Sequence, residues 1–329
     1  MIRRQRSDLR RQFQEVSFSL VDYRNNYFTS SEPEKILEFY NGFKNRDQLI
    51  QWMKERPKGA SYIHEVEGDK EIIVVIPTAD FNGKYARECR DNIFKGLHMV
   101  FVESGEIPDP YFNYSHNCNV GIKKAMEYNP KWIIVSNDDL YKIDDISVLK
   151  QKLLEIDESN KYFVFTQEST YHSVNCALSN PRMPFIFFYN VLRYFRHKLL
   201  GRDQLEKEKE GLRTRFGIFL KGTSDRNLLE QLFYKPLIRY KITEDFGIFS
   251  SIFIREQQND LFDETFINGS EDDELCIRIS KFPEKMASID YKIGDYISSS
   301  LGRNSKLRWL QDIVNSIYLN YLFKDLQES

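Results

Sequence analysis

The chain has 329 residues, of which 41% are hydrophobic and 29% charged, which excludes a disordered or fibrous protein and allows one large core with additions. A formal net charge of −2 gives no global attraction to nucleic acid, and no nucleic-acid partner is expected. Cys89, Cys118, Cys176 and Cys276 are scattered without paired spacing, which signals neither a disulfide framework nor a zinc site and fits a reduced, cytoplasmic compartment.

The basic start MIRRQRSDLRRQF has no apolar segment behind it and does not read as a signal peptide. No apolar run approaches the length of a membrane span, which leaves at most a peripheral association with a membrane face. Residues 1–65 read as a helical extension. Ser31-Glu32-Pro33-Glu34 is a helix start followed by Ile36, Leu37, Tyr40 and Phe43 at helical spacing, and Asn45-Arg46-Asp47 opens a second helix carrying Leu49, Ile50, Trp52 and Met53.

Residues 71–77, EIIVVIP, are too uniformly apolar for a half-exposed strand and predict a buried one. A helix over 85–95, a strand over 97–102, a helix over 116–128 and a strand in KWIIVSNDD (131–139) follow. Strand and helix alternate, which predicts an α/β fold with a Rossmann-like, doubly wound parallel sheet. Each strand leaves the sheet on acids: Asp80, Glu103, and the pair Asp138 and Asp139. The carboxyl edge of such a sheet is where ligands bind, whereas Asn-Asp-Asp alone is also ordinary turn chemistry. No Gly-x-Gly-x-x-Gly turn and no Walker sequence occurs, so acidic tips with a bridging cation, instead of a glycine cradle, are expected to meet a phosphate.

A helix over 146–155 and a strand over 162–166 come next. Residues 183–200, MPFIFFYNVLRYFRHKLL, set aromatics against Arg193, Arg196, His197 and Lys198. Such a helix suits an anionic membrane surface, but a helix packed on its own core with basic groups reaching outward is the stronger reading. Residues 246–254, FGIFSSIFI, predict a further strand. Glu271, Asp272, Asp273 and Glu274 then open a helix, where the helix dipole favours acids. Four in a row exceed what a structural helix start needs, and a helix start holds a general base rigidly and in ionised form.

Taken together, EIIVVIPTAD, FVESG, NVGIKKA, IIVSNDD and LFDETFINGSEDDELCIR resemble, in that order, segments of the family 2 glycosyltransferases, inverting enzymes of the GT-A fold, and within them the rhamnosyltransferase-like branch. The last match is long and specific, while the first two are weak singly. The resemblance covers about residues 71–302. It implies a mostly parallel mixed sheet flanked by helices, with Thr78, Asp80, Glu103, Asn137 and Asp138 at the nucleotide sugar and Glu103 accepting from the ring of a pyrimidine base. Asp139 would ligate Mg²⁺ or Mn²⁺, Asp272 would be the base, and Glu271 and Asp273 would meet the acceptor. In this chain Asn137 stands where an acid is frequent, Glu274 replaces an Asp, and the late histidine of the metal site has no counterpart near YKIGDYISSS, where Asp295 is the nearest substitute.

The expected organisation is a helical extension (1–65), a nucleotide-sugar half (66–182), an aromatic and basic helical insert (183–240), an acceptor half (241–302) and a C-terminal helix (303–329). The expected activity is transfer of a sugar from a nucleotide-diphosphate donor to a glycan, lipid-linked glycan or polysaccharide hydroxyl, at the inner face of a membrane or free of it. A nucleotidyltransferase acting on sugar phosphates would normally show a glycine-rich basic loop where this chain has TADFNGKYAR. A non-catalytic glycan-binding protein on the same fold is the second rival.

Overall fold

The computed structural model describes residues 33–105, 111–166, 170–177, 211–212, 215–216, 220–222, 234–242, 246–296 and 305–323. Residues 183–200, where a helix that bears on membrane contact is expected, lie outside them. Helices α1 (Pro33–Asn41) and α2 (Arg46–Glu55) begin where the sequence places them. Asn45 caps α2 by accepting from Gln48 N–H, and Leu49, Ile50, Trp52 and Met53 are all buried.

The centre is a seven-stranded sheet of β1 (Ser61–Val66), β2 (Asp69–Thr78), β3 (Leu97–Ser104), β4 (Trp132–Ser136), β6 (Phe163–Phe165), β10 (Phe246–Ser250) and β11 (Met286–Ser288), in the order β1-β3-β2-β4-β10-β6-β11. β3, β2 and β4 are mutually parallel, β10 runs against both β4 and β6, and β11 is parallel to β6. The architecture is thus α/β with a mixed, mostly parallel sheet. Helix α3 (Lys84–Glu88), continued by a π turn over Cys89–Ile93, joins β2 to β3; α4 (Tyr114–Met126) joins β3 to β4; α5 (Ile146–Leu154) precedes β6. A two-stranded ribbon pairs β5 (Leu140–Lys142) with β12 (Ile293–Asp295), and a separate antiparallel sheet has the order β8-β7-β9 (Leu220–Gly222, Thr170–Ala177, Tyr234–Ile242).

Three expectations need correction. Residues 61–66 do not close a helical extension; they form β1, an edge strand antiparallel to β3. Its residues are part-buried or exposed throughout, so the apolar signal that marks a central strand is weak there. The run 246–254 is not one strand: β10 ends at Ser250, whose hydroxyl accepts from Phe253 N–H and starts α6 (Ser251–Glu256). An unbroken apolar run has no period by which to tell strand from helix. Finally, the described part of 183–240 is not all helical, because it contributes β8 and most of β9.

Alternate residues of the central strands feed opposite faces. Ile72, Val74, Ile76 and Trp132 pack with Cys89, Phe94 and α5, while Ile73, Val75, Ile133 and Val135 pack with α4, α6 and Leu275 of α7 (Glu271–Ile279). A third core joins α1, α2 and the C-terminal helix α8 (Ser305–Leu322) to Cys276 and Ile277. Helix α7 is therefore wedged between the sheet and the terminal helices. Gly121 lets α4 lie directly on the sheet, since a Cβ there would overlap Val75 Cγ1 and come within 2.9 Å of Val102 Cγ2. No helix among the described residues is long and apolar enough to cross a membrane.

Candidate functional site

The carboxyl ends of β2, β3 and β4 fall on one edge because the three strands are parallel and in register, Thr78 opposite Glu103. Thr78 is buried at the last position of β2, and its hydroxyl donates to Asp138 Oδ2 at 2.7 Å. The adjacent Asp139 is 6% exposed, and its carbonyl accepts from Tyr296 N–H at 2.8 Å where the β5–β12 ribbon closes. Cys89 donates its thiol to the Asp138 carbonyl at 3.3 Å. The turn after β4 is thus pinned by β2, the π turn and β12.

Burial pushes the Asp138 carboxyl up to about 6; the Asp139 charge adds to this and the Thr78 hydrogen bond opposes it. Two carboxylates placed side by side in this position repel each other, and a cation arriving with a phosphate would relieve the cost. The donor chemistry fits such an ion, since Mg²⁺ is commonly held by one or two carboxylates together with phosphate oxygens. Among the described residues no three His, Cys, Asp or Glu side chains converge into a metal-binding group. Asp295 is exposed at the end of β12, its backbone paired with Leu140 beside Asp139.

Glu103 accepts from Phe81 N–H at 3.0 Å through one oxygen and meets His64 Nε2 at 2.7 Å through the other. Of the remaining donor-side candidates, Asn137 is part-buried, its carbonyl accepting from Ser136, and Asp80 is exposed and accepts from Asn82 N–H at 2.9 Å as an ordinary turn residue. Hence Thr78 and Asp138 touch and Glu103 is aligned with Thr78, whereas Asp80 serves its own turn.

The loop 261–270 sets the acceptor-side helix. Asn119 of α4 donates to Phe262 O at 2.8 Å and accepts from Phe262 N–H at 3.1 Å. Asn113 donates to Glu264 O at 2.8 Å, His116 meets Glu264 Oε1 at 3.0 Å, and Asn315 of α8 accepts from Ile267 N–H and donates to Ile267 O. Asp263 accepts from the Tyr318 hydroxyl at 2.6 Å. The chain then passes Asn268 and Ser270 in the left-handed region, at φ 47° and 67°, before α7 begins without a side-chain cap. Such conformations persist only where surrounding contacts over-determine them.

The four consecutive acids separate into two pairs. Glu271 and Glu274 are buried: Glu271 accepts from Gly269 N–H at 2.6 Å, and Glu274 accepts from Arg278, which also donates to Gln257 and Leu261 O. Glu271, expected at the acceptor, thus locks the turn before its own helix. Asp272 and Asp273 keep part of their surface in solvent. Burial, then the Asp273 and Glu271 charges, raises the Asp272 carboxyl well above the usual carboxylate range. Desolvation and like charge thus act on this group against the helix dipole, which favours the ionised form.

Several side chains around the edge carry no local sequence signal. His64 and Phe81 stack, with ring centroids 4.4 Å apart and planes 6° apart, and Arg90 lies 5.0 Å over Phe81. Tyr85, Tyr141 and Tyr296 form a contacting trio beside Asp139, with Lys84 over two of the rings. No protein-family model matches the chain, and no curated protein matches it in sequence.

Proposed function

We propose that the protein is an inverting, metal-dependent glycosyltransferase of the GT-A fold that moves a sugar from a nucleotide-diphosphate donor to a hydroxyl of a glycan, lipid-linked glycan or polysaccharide. One observation carries the reading: Asp139, buried, and Asp138, half-buried, are adjacent at the carboxyl edge of three parallel strands, with Thr78 holding Asp138. Asp139, with Asp138 beside it, would hold Mg²⁺ or Mn²⁺, and that ion when bound neutralises the departing diphosphate. Thr78 fixes Asp138 toward the ribose or donor sugar, and Glu103 accepts from the base. Asp295, exposed at the end of β12, would be the ribbon's candidate for a further oxygen.

Asp272 takes the proton of the acceptor hydroxyl as that oxygen attacks the anomeric carbon. The bond from that carbon to the diphosphate oxygen breaks on the opposite face, and the configuration inverts. Once ionised, a carboxylate whose pKa has been raised is a stronger base, which suits the removal of a hydroxyl proton. Asp273, half-buried next to it on α7, would orient the acceptor.

The test is incubation of the full chain with a panel of nucleotide sugars and Mg²⁺ or Mn²⁺, reading release of nucleoside diphosphate. Metal-dependent release in the presence of a glycan acceptor supports the reading. Release of pyrophosphate from a nucleoside triphosphate and a sugar phosphate would replace it with nucleotidyl transfer, and glycan binding without turnover would leave a binding protein.

A further inference from the structure

Strand β1 comes from the N-terminal segment and lies outside the stretch in which the donor residues occur, yet it borders Glu103 directly. In the antiparallel β1–β3 pair, Tyr62 lies opposite Glu103 and His64 opposite Phe101, and residues directly opposite one another project from the same face of the sheet. Tyr62, His64 and Glu103 therefore share one face at the carboxyl edge. His64 is the outer ring of a stack: its inner face lies on Phe81, which is covered by Arg90 and abuts Phe101 edge-on at 5.2 Å. Tyr62 is 55% exposed, and the His64 side chain keeps 35% of its surface in solvent. Glu103 is fixed from two sides, by Phe81 N–H and by His64, while each carboxylate oxygen retains a lone pair.

We infer that β1 supplies the base platform of the nucleotide site: Tyr62 and His64 offer ring faces on which the base lies, and Glu103, oriented by His64, accepts from a ring N–H on the base's pairing edge. This rests on the glycosyltransferase reading and adds a specificity to it. A carboxylate acceptor favours bases whose ring nitrogen carries a proton, as in uracil, thymine and guanine. It repels cytosine and adenine, whose corresponding ring nitrogen presents a lone pair. Phe81 is closed on its faces by His64 and Arg90, so it acts by supporting His64. His64 is a positioning residue for Glu103 as well as a surface for the base.

Calorimetry on the full chain with free UDP, dTDP, GDP, CDP and ADP, each with Mg²⁺ or Mn²⁺, tests this without an acceptor. The expected result is at least about tenfold tighter binding of UDP, dTDP or GDP than of CDP and ADP. Glu103→Gln, whose amide offers both donor and acceptor, should reduce that preference below about threefold. Loss of one stacking face by Tyr62→Ala or His64→Ala should weaken the preferred diphosphate by about tenfold. His64→Phe should keep the stack but lose base preference, and His64→Gln, which keeps a donor, should restore it. Tyr62 is exposed, so its variant reads the platform without a folding defect. If no diphosphate binds, the transferase reading and the platform fall together. If diphosphates bind without base preference, or if the Tyr62 and His64 variants match the parent, the platform alone is overturned.

Discussion

Two acidic clusters are built on opposite plans. Asp138 and Asp139 sit in a turn clamped by a threonine hydroxyl on β2, a thiol on the π turn and a backbone bond from β12. Asp272 and Asp273 sit on an uncapped helix start whose approach is held from outside by asparagines of α4 and α8. The first plan fixes one side-chain oxygen, Asp138 Oδ2, together with the backbone carbonyls of both residues, which holds the pair at the edge of the sheet. In the second, the approach loop fixes the backbone, and Asp272 Oδ1 accepts from the N–H of the adjacent Asp273 at 2.9 Å.

The largest effect should come from the helix start. Asp272→Asn is expected to reduce transfer by about 10²–10⁴-fold, the usual contribution of a general base, with diphosphate affinity within about twofold of the parent by calorimetry. Affinity collapsing together with turnover would place Asp272 in the donor site and erase the contrast. At the other cluster, Asp139→Ala should abolish the metal-dependent part of diphosphate binding, a loss of at least about tenfold. Unchanged turnover of the parent in excess chelator would show that no cation acts there.

Smaller effects probe how each plan is held. Asn315→Ala leaves the Ile267 N–H and C=O unpaired in a buried position and should lower stability by about 2–3 kcal/mol in denaturant titration. It should reduce turnover more than diphosphate binding. Gly121→Ala forces a Cβ into Val75 and should cost about 1–3 kcal/mol while leaving both clusters chemically intact.

The smallest effect is in pH dependence. The Asp138 carboxyl is raised in the folded protein to about 6, above the ordinary unfolded value, so the folded state binds the proton more tightly and stability falls as pH rises through that window. Asp272 acts in the same direction. Melting temperature of Asp272→Asn relative to the parent should therefore increase from pH 5 to pH 8. A constant difference would mean that Asp272 titrates normally and that its burial has no electrostatic consequence.

Much of this was legible in the chain because its cause is local. Ile72 to Ile76 and Trp132 to Val135 are apolar without interruption since both faces of a central strand are covered, and no other local structure suits them as well. Asn45 marks the start of α2 by accepting from a backbone N–H three residues on, and the acids of the first turn mark the start of α7. The carboxylates at the ends of β3 and β4 could be placed on one edge from strand-helix alternation alone.

What depended on packing was invisible. β1 sits at the edge, half solvated, so SYIHEV carries no strong apolar signal and His64 gave no sign of meeting Glu103, 39 positions later. FGIFSSIFI is apolar on both sides of its switch from strand to helix, and only the Ser250 cap decides where the strand stops. The acids 271–274 are chemically alike in sequence. Because α7 is wedged between two cores, Glu271 and Glu274 turn inward to bond with Gly269 and Arg278, and Asp272 and Asp273 are left half-buried. Local chemistry thus determined which residues are acids at element ends. Tertiary packing decided which of them are structural, which way their protons are held, and that an N-terminal strand borders the edge where they meet.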